Sequence, residues 1–173
     1  MKIQTIGTGG IFTNAVSACA LVDGKLLVDC PNGAVKALRR QGVDLQAIDL
    51  CLITHFHGDH YFDLPFLLLE LSLQERNREF QIIGPAGMFI KAKTLMQEAY
   101  EGHWEEAAES VSLTVNEVIP AEPDQTGKPY YDYFDDSDVH HFETYGYKII
   151  SYPVKHGDRQ ALGYVVTSHD DKK

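Results

Sequence analysis

The sequence predicts a mixed α/β layered domain. Strand and helix signals alternate through the first half of the chain, and strand signals dominate after it. Apart from Asp49, the run Ile48–Thr54 reads as an apolar strand, the pattern of one buried on both faces. Glycine and proline clusters punctuate the periodic segments at the spacing expected of short connections.

The elements follow in order. Lys2–Ile6 reads as a short strand, broken by Gly7, Gly9 and Gly10. These glycines are not a dinucleotide fingerprint, because Phe12 occupies the place where a third would fall. Val16–Val22 is a second strand, Asp23-Gly24 a two-residue hairpin signal, and Lys25–Val28 the return. Pro31 and Asn32 open a helix to about Gln41, with Gly42 as its stop. Ile48–Thr54 then delivers the chain into His55-Phe56-His57-Gly58-Asp59-His60. Asp63–Arg76 reads as a helix, Phe80–Ile83 as a strand closed by Gly84-Pro85-Ala86-Gly87, and Met88–Glu109 as one long helix with an acidic, solvated second half. Val111–Ile119 is strand-like and Pro120–Asp138 a loop rich in Pro, Tyr and Asp. His140-His141 reads as part of a solvated loop rather than as a metal patch with Asp135, Asp136 and Asp138, and Tyr130, Tyr131, Tyr133 and Phe134 as packing under the loop rather than as a flap near the site or an interface. Gly146–Tyr152 and Leu162–Thr167 are the last two strands, with His156 between them.

Composition narrows the function classes. Lys and Arg number 15 against 25 Asp and Glu, a net charge of −10 over 173 residues, so the surface does not attract nucleic acid by itself. No apolar run reaches the length of a membrane span, and the N-terminal residues carry no basic segment followed by an apolar one; the expected compartment is the cytoplasm. Cys19, Cys30 and Cys51 are widely spaced, odd in number and set in apolar stretches, which indicates buried thiols rather than a disulfide framework or a zinc knot.

The chemistry concentrates after the apolar strand. Of eight histidines in the chain, His55, His57 and His60 fall within six residues, together with Asp59. Thr54 ends the strand, so these side chains stand on a loop at its carboxyl edge, where α/β sheets place their ligands. On a partly extended turn His55 and His57 point the same way. Gly58 lets the backbone re-aim Asp59 and His60 at a second point nearby. Two imidazoles with a third from elsewhere make a three-nitrogen zinc site with an open position for water. Asp59 and His60 begin a second site.

Thr54-His55-Phe56-His57-Gly58-Asp59-His60 resembles the H-x-H-x-D-H signature of the metallo-β-lactamase superfamily. Within it the chain is most similar to ribonuclease Z and related phosphodiesterases, through Leu64-Pro65-Phe66-Leu67-Leu68, Gly84-Pro85-Ala86-Gly87, and His156-Gly157 ahead of Leu162-Gly163-Tyr164. The resemblance implies an αββα sandwich, a metal-dependent phosphodiester hydrolase, and one or two zinc ions, with manganese as a possible substitute. It makes His55, His57, Asp59, His60 and His156 the metal ligands. Asp29 falls where the superfamily has an acidic residue behind the metal site and would accept an N–H from a ligand histidine; a helix N-cap before Pro31 is the competing reading. Thr54 stands behind the ligands with it. Asp59 would orient an acidified water and take its proton, which makes it the catalytic residue. A lactonase or thioesterase acting on esters through the same metals is the alternative, and a metal-binding remnant without catalysis a third reading.

The resemblance has departures. Asp63 replaces a frequent Gly, the Gly7–Val16 stretch lacks the family's Pro and Arg, and no Gly/Pro-rich tRNA-gripping arm is present. These argue against tRNA rather than against hydrolysis. A bridging Asp and a final His are not visible, and His169, in a polar stretch, is not expected to be a ligand. The expectation is therefore one domain over residues 1–173 lacking its C-terminal portion, inactive as it stands if that portion is needed. Its uncovered apolar face would make it a homodimer.

Overall fold

The computed structural model describes residues 1–74, 76, 78–119, 139–157 and 159–169. Asp23 and Gly24 both take left-handed backbone angles, φ 50° and 73°, as a two-residue hairpin turn demands. The turn folds β2 (Cys19–Val22) onto β3 (Leu26–Val28). β1 (Ile3–Gly7) pairs antiparallel on the other side of β2. The chain then crosses over three times to add β4 (Leu50–Leu52), β5 (Phe80–Pro85) and β6 (Leu113–Val118) in parallel, giving a sheet of order β1-β2-β3-β4-β5-β6. Val28, Leu52 and Ile83 lie side by side in register. The residues that follow them, Asp29, Ile53 and Gly84, therefore emerge along one carboxyl edge.

Side-chain alternation assigns the two faces of this sheet. Leu27, Cys51 and Ile82 point to one side and are buried under α1 (Ala34–Arg40), α3 (Leu64–Ser72), α4 (Met88–Ala99) and α5 (Trp104–Ser110). Leu26, Leu50, Leu52 and Ile83 point to the other and pack on Tyr147, Ile149 and Leu162 of a second sheet. That sheet is β7 (His140–Thr144), β8 (Tyr147–His156) and β9 (Arg159–Ser168), all antiparallel. Helices, sheet and sheet make three of the layers of the expected sandwich. All three cysteines are buried, as their apolar settings predict.

Several elements differ from the sequence reading. The long helix is two: Gly102, at φ 80°, breaks it between Tyr100 and His103, and Trp104 turns in to start α5. The second strand begins at Cys19 rather than Val16, because Gly9 and Ser17 form an isolated bridge that belongs to the preceding loop. His140-His141 lies on β7, not on a loop, and the His140 ring contacts the Ile119 carbonyl at 3.1 Å. Its apolar alternation is too weak to announce a strand; pairing with β8 makes one. The last two strands are longer than predicted, so His156 ends β8 instead of standing between strands. Pro153 sits inside β8 opposite Leu162, whose N–H is turned away from β8, so the missing proline N–H interrupts no ladder bond there. Residues 120–138, including the aromatic cluster at Tyr130–Phe134, lie outside the described residues.

Candidate metal centre

The loop after β4 carries the site. His57 stands in extended backbone, and Gly58 begins the single-turn α2 (Gly58–Tyr61), which turns Asp59 and His60 back toward the sheet edge. Ring nitrogens converge there: His55 Nε2 lies 3.1 Å from His57 Nδ1, and His156 Nε2 lies 3.2 Å from the same atom. The three ligand atoms are all within 4.8 Å of one another. A tetrahedral divalent ion at metal–nitrogen distances of about 2.0–2.1 Å holds its ligands roughly 3.3 Å apart, so the spacing fits such an ion. Burial, reinforced by the neighbouring rings of His60, His156 and His57, pulls His55 down to about 4, which keeps it neutral with a lone pair to offer.

Asp29 organises the rings from behind. It ends β3 in the left-handed region, φ 59°, a conformation that Asp tolerates better than most residues, and its side chain is buried. Its carboxylate accepts the Thr54 N–H at 2.8 Å, the Thr54 hydroxyl at 2.9 Å, and His60 Nδ1 at 2.7 Å. The Thr54 hydroxyl oxygen in turn sits 3.0 Å from His55 Nδ1. This chain of contacts assigns the proton to Nδ1 on both His55 and His60 and leaves both Nε2 atoms free to ligate. The hydrogen bond to Asp29 raises the His60 pKa. Asp29 is no helix cap: Val35 N–H, in the first turn of α1, is taken by the Asp63 carboxylate at 2.9 Å instead. Asp63 is thus the buried clamp between α1 and the start of α3 at the position where a glycine was expected.

Asp59 Oδ2 stands 3.8 Å from His60 Nε2, and the Ser17 hydroxyl reaches the same oxygen at 3.5 Å. Asp59 and His60 form a pair beside the three-histidine group but, among the described residues, gather no third ligand. An open cavity of about 620 Å³ adjoins Asp59, lined by Asn14, Ser17, Asn32, His57 and Phe62 among others; no Lys or Arg lines it among the described residues. No pattern in the sequence singles out Asn14, Ser17 or Asn32, since small polar residues in loops carry no periodicity. His169 lies at the end of β9, its N–H bonded to the Gly146 carbonyl, and is absent from the three-histidine group.

The sequence model of the family described as "Anti-Pycsar protein Apyc1" matches residues 1–156. The chain belongs to the Apyc1 family. Curated relatives of this Apyc1-family chain include ribonuclease Z of Pyrococcus abyssi, 31% identical over 175 aligned residues, covering 98% of the chain and 49% of the relative. Ribonuclease Z of Picrophilus torridus is 32% identical over 166 residues, covering 91% of the chain and 48% of the relative. The chain spans about half the length of these relatives. Among solved structures, human tRNase Z short form (ELAC1) superposes with a TM-score of 0.74 at 22% identity, over 98% of this chain and 65% of that one. The metallo-β-lactamase fold protein YhfI of Bacillus subtilis gives 0.60 at 17%, over 98% and 58%. The Apyc1-family chain therefore has the metallo-β-lactamase fold, and its sequence is similar to ribonuclease Z along most of its length.

Proposed function

We propose that the protein is a zinc-dependent phosphodiesterase. The observation that carries this is the convergence of His55, His57 and His156 nitrogens at ligand spacing, with Asp59 beside them at the mouth of a cavity. The relatives named ribonuclease Z support the phosphodiester class. When bound, the divalent ion supplies Lewis acidity toward a phosphoryl oxygen and acidifies water. His55, His57 and His156 would hold it, with Asp59 and His60 beginning a second position.

The chain's own groups do the rest. Asp29, through Thr54 and directly, fixes the tautomers of His55 and His60. Asp59, held by the Ser17 hydroxyl, orients the attacking water and accepts its proton. The cavity binds what flanks the scissile group through neutral Asn14, Asn32 and Ser17 and the Phe62 ring. Because no cationic side chain among the described residues lines it, a substrate carrying a single phosphodiester suits it better than a long polyanion such as tRNA. Manganese would serve in place of zinc. An ester or lactone could use the same groups, so the assay compares the two. We place the protein in the cytoplasm, in keeping with the lack of a helix long and apolar enough to span a membrane among the described residues. A homodimer is favoured by exposed apolar side chains such as Phe66 and Leu73 on α3 and just after it.

The test is hydrolysis of an activated phosphodiester and of a lactone by the purified chain with zinc or manganese, alongside metal analysis and a His57→Ala control. Phosphodiester turnover and bound zinc, both lost in the control, are expected. Lactone turnover alone would replace the proposal with the acyl-hydrolase reading, and no bound metal would end both.

A further inference from the structure

The metal group draws on two separate parts of the chain. His55 and His57 follow directly from β4, whereas His156 stands on the far end of the β8–β9 ribbon, 99 residues away from His57. The ribbon end is exposed at His156, Gly157 and Arg159, so its own packing does not fix where the His156 ring falls. Something must register the ribbon against the end of β4.

Tyr164 does this. Its hydroxyl donates to the Ile53 carbonyl at 2.8 Å and lies 3.3 Å from the Ile83 carbonyl, so it spans the ends of the parallel strands β4 and β5. Ile53 is two residues before His55. On the same strand the Leu162 N–H donates to the Thr54 carbonyl at 2.9 Å. A looser polar tie between β9 and the large sheet runs from Gln160 Nε2 to the Val118 carbonyl at 3.5 Å. Tyr164 pairs in register with Ser151, five positions before His156 on β8. That puts the ring roughly 17 Å along the ribbon from the anchor at about 3.4 Å per residue, so a small rotation about the anchor becomes a displacement of ångström size at the ligand.

Resting on the metal-site reading above, we propose that Tyr164 is a positioning residue for metal binding. Its hydroxyl grips the Ile53 carbonyl, two residues before His55, while its strand pairs with the strand that bears His156. One side chain thereby sets both halves of the ligand group relative to each other. It acts through His156 and touches neither metal nor substrate.

The experiment is a double-mutant cycle on cobalt(II) binding, read by the visible absorption of the bound ion, with native chain, Tyr164→Phe, His156→Ala and the double variant. Tyr164→Phe removes the hydroxyl and keeps the ring. A 10- to 100-fold loss of cobalt affinity is expected, the range for residues that orient metal ligands, with an altered absorption band. In the His156→Ala background the same change should alter affinity less than twofold, because the ligand it positions is gone. A loss under threefold in the native background, or an equal loss in both backgrounds, overturns the proposal. Amide exchange at Leu162 in the metal-free chain should quicken in Tyr164→Phe, and unchanged exchange also overturns it. Measurement at low temperature with sucrose keeps the variant folded if the lost bond weakens it. A His57→Ala chain that binds cobalt as tightly as the native one refutes the metal site itself, a failure separate from that of Tyr164.

Discussion

Replacing Asp29 by Asn tests the organisation of the site most directly. Asn keeps the side-chain volume and tolerates the left-handed φ of 59° at this position, so neither a cavity nor backbone strain confuses the result. One amide oxygen can still take the Thr54 N–H at 2.8 Å. The NH2 group then faces His60 Nδ1, which stands 2.7 Å from the present carboxylate oxygen, donor against donor. His60 must either lose the bond or move its proton to Nε2, the atom proposed above to begin a second metal position. A charge-assisted bond lost in a buried setting costs about 2 kcal/mol. In a chain of 173 residues that is a fall of roughly 4–8 °C in Tm. Metal affinity should drop by about 10- to 100-fold. Urea unfolding of the metal-free chain and zinc titration measure the two effects. A variant within about 0.5 kcal/mol of native that binds zinc equally well would show that Asp29 does not organise the ligands.

The pH dependence supplies a sharper form of the same test. His60 has a raised pKa through its bond to Asp29, so its contribution to stability is fully present below about 6.5 and is lost as pH rises through the raised value. His55 works in the opposite sense. With its pKa lowered to about 4 by burial and neighbouring rings, its contribution is present above about 6.5 and is lost as pH falls toward 4. The metal-free native chain should therefore lose stability on both sides of mildly acidic pH. Asp29→Asn should abolish the alkaline arm alone and shift the optimum upward. An unchanged alkaline arm would sink the assignment of the His60 proton.

Two further changes probe the scaffold. The Ser151 hydroxyl on β8 is fully buried without a partner among the described residues, so Ser151→Ala should raise stability by about 1 kcal/mol in urea unfolding; a loss would mean the hydroxyl has a partner. A methyl group on Gly7 would lie 2.2 Å from the Ser17 carbonyl oxygen, so Gly7→Ala must push the loop bearing Ser17 away from β1. A loss of about 2–4 kcal/mol in the same assay is expected, and a neutral result would show that this close approach is not required.

The local grammar of the first half of the chain was readable because it is written in short-range signals. Asp23-Gly24 requires positive φ, Leu50-Cys51-Leu52 is apolar on both faces, and the histidine-rich turn follows a buried strand. The break at Gly102 was missed because one glycine in an otherwise helical stretch is tolerated, and only the inward turn of Trp104 makes it a boundary. β7 was missed because its burial alternates only between partly buried and exposed; the sheet, not the sequence, supplies its pairing. In the site, the candidate ligands were legible from spacing, but their supports were not. Ser17 reaches Asp59 across 42 positions, and Asp63 reaches Val35 across 28, contacts that no periodicity encodes.

This division follows from how the site is assembled. Three parallel strands ending in register bring Asp29 and the Ile53–Thr54 corner to one edge, and such an edge can be anticipated from any apolar strand that runs into polar residues. The third nitrogen comes from a different sheet, so its arrival depends on how two hydrophobic faces seat on each other, Leu50, Leu52 and Ile83 against Tyr147, Ile149 and Leu162. Apolar packing is non-directional and sets that seating only coarsely. The directional contacts, Tyr164 to Ile53 and Leu162 to Thr54, convert it into a fixed position at the one place where a ligand must be held to a fraction of an ångström. They are backbone-directed, and a backbone carbonyl leaves no mark in a sequence, which is why candidate ligands could be proposed from residues alone while the contacts that aim them could not.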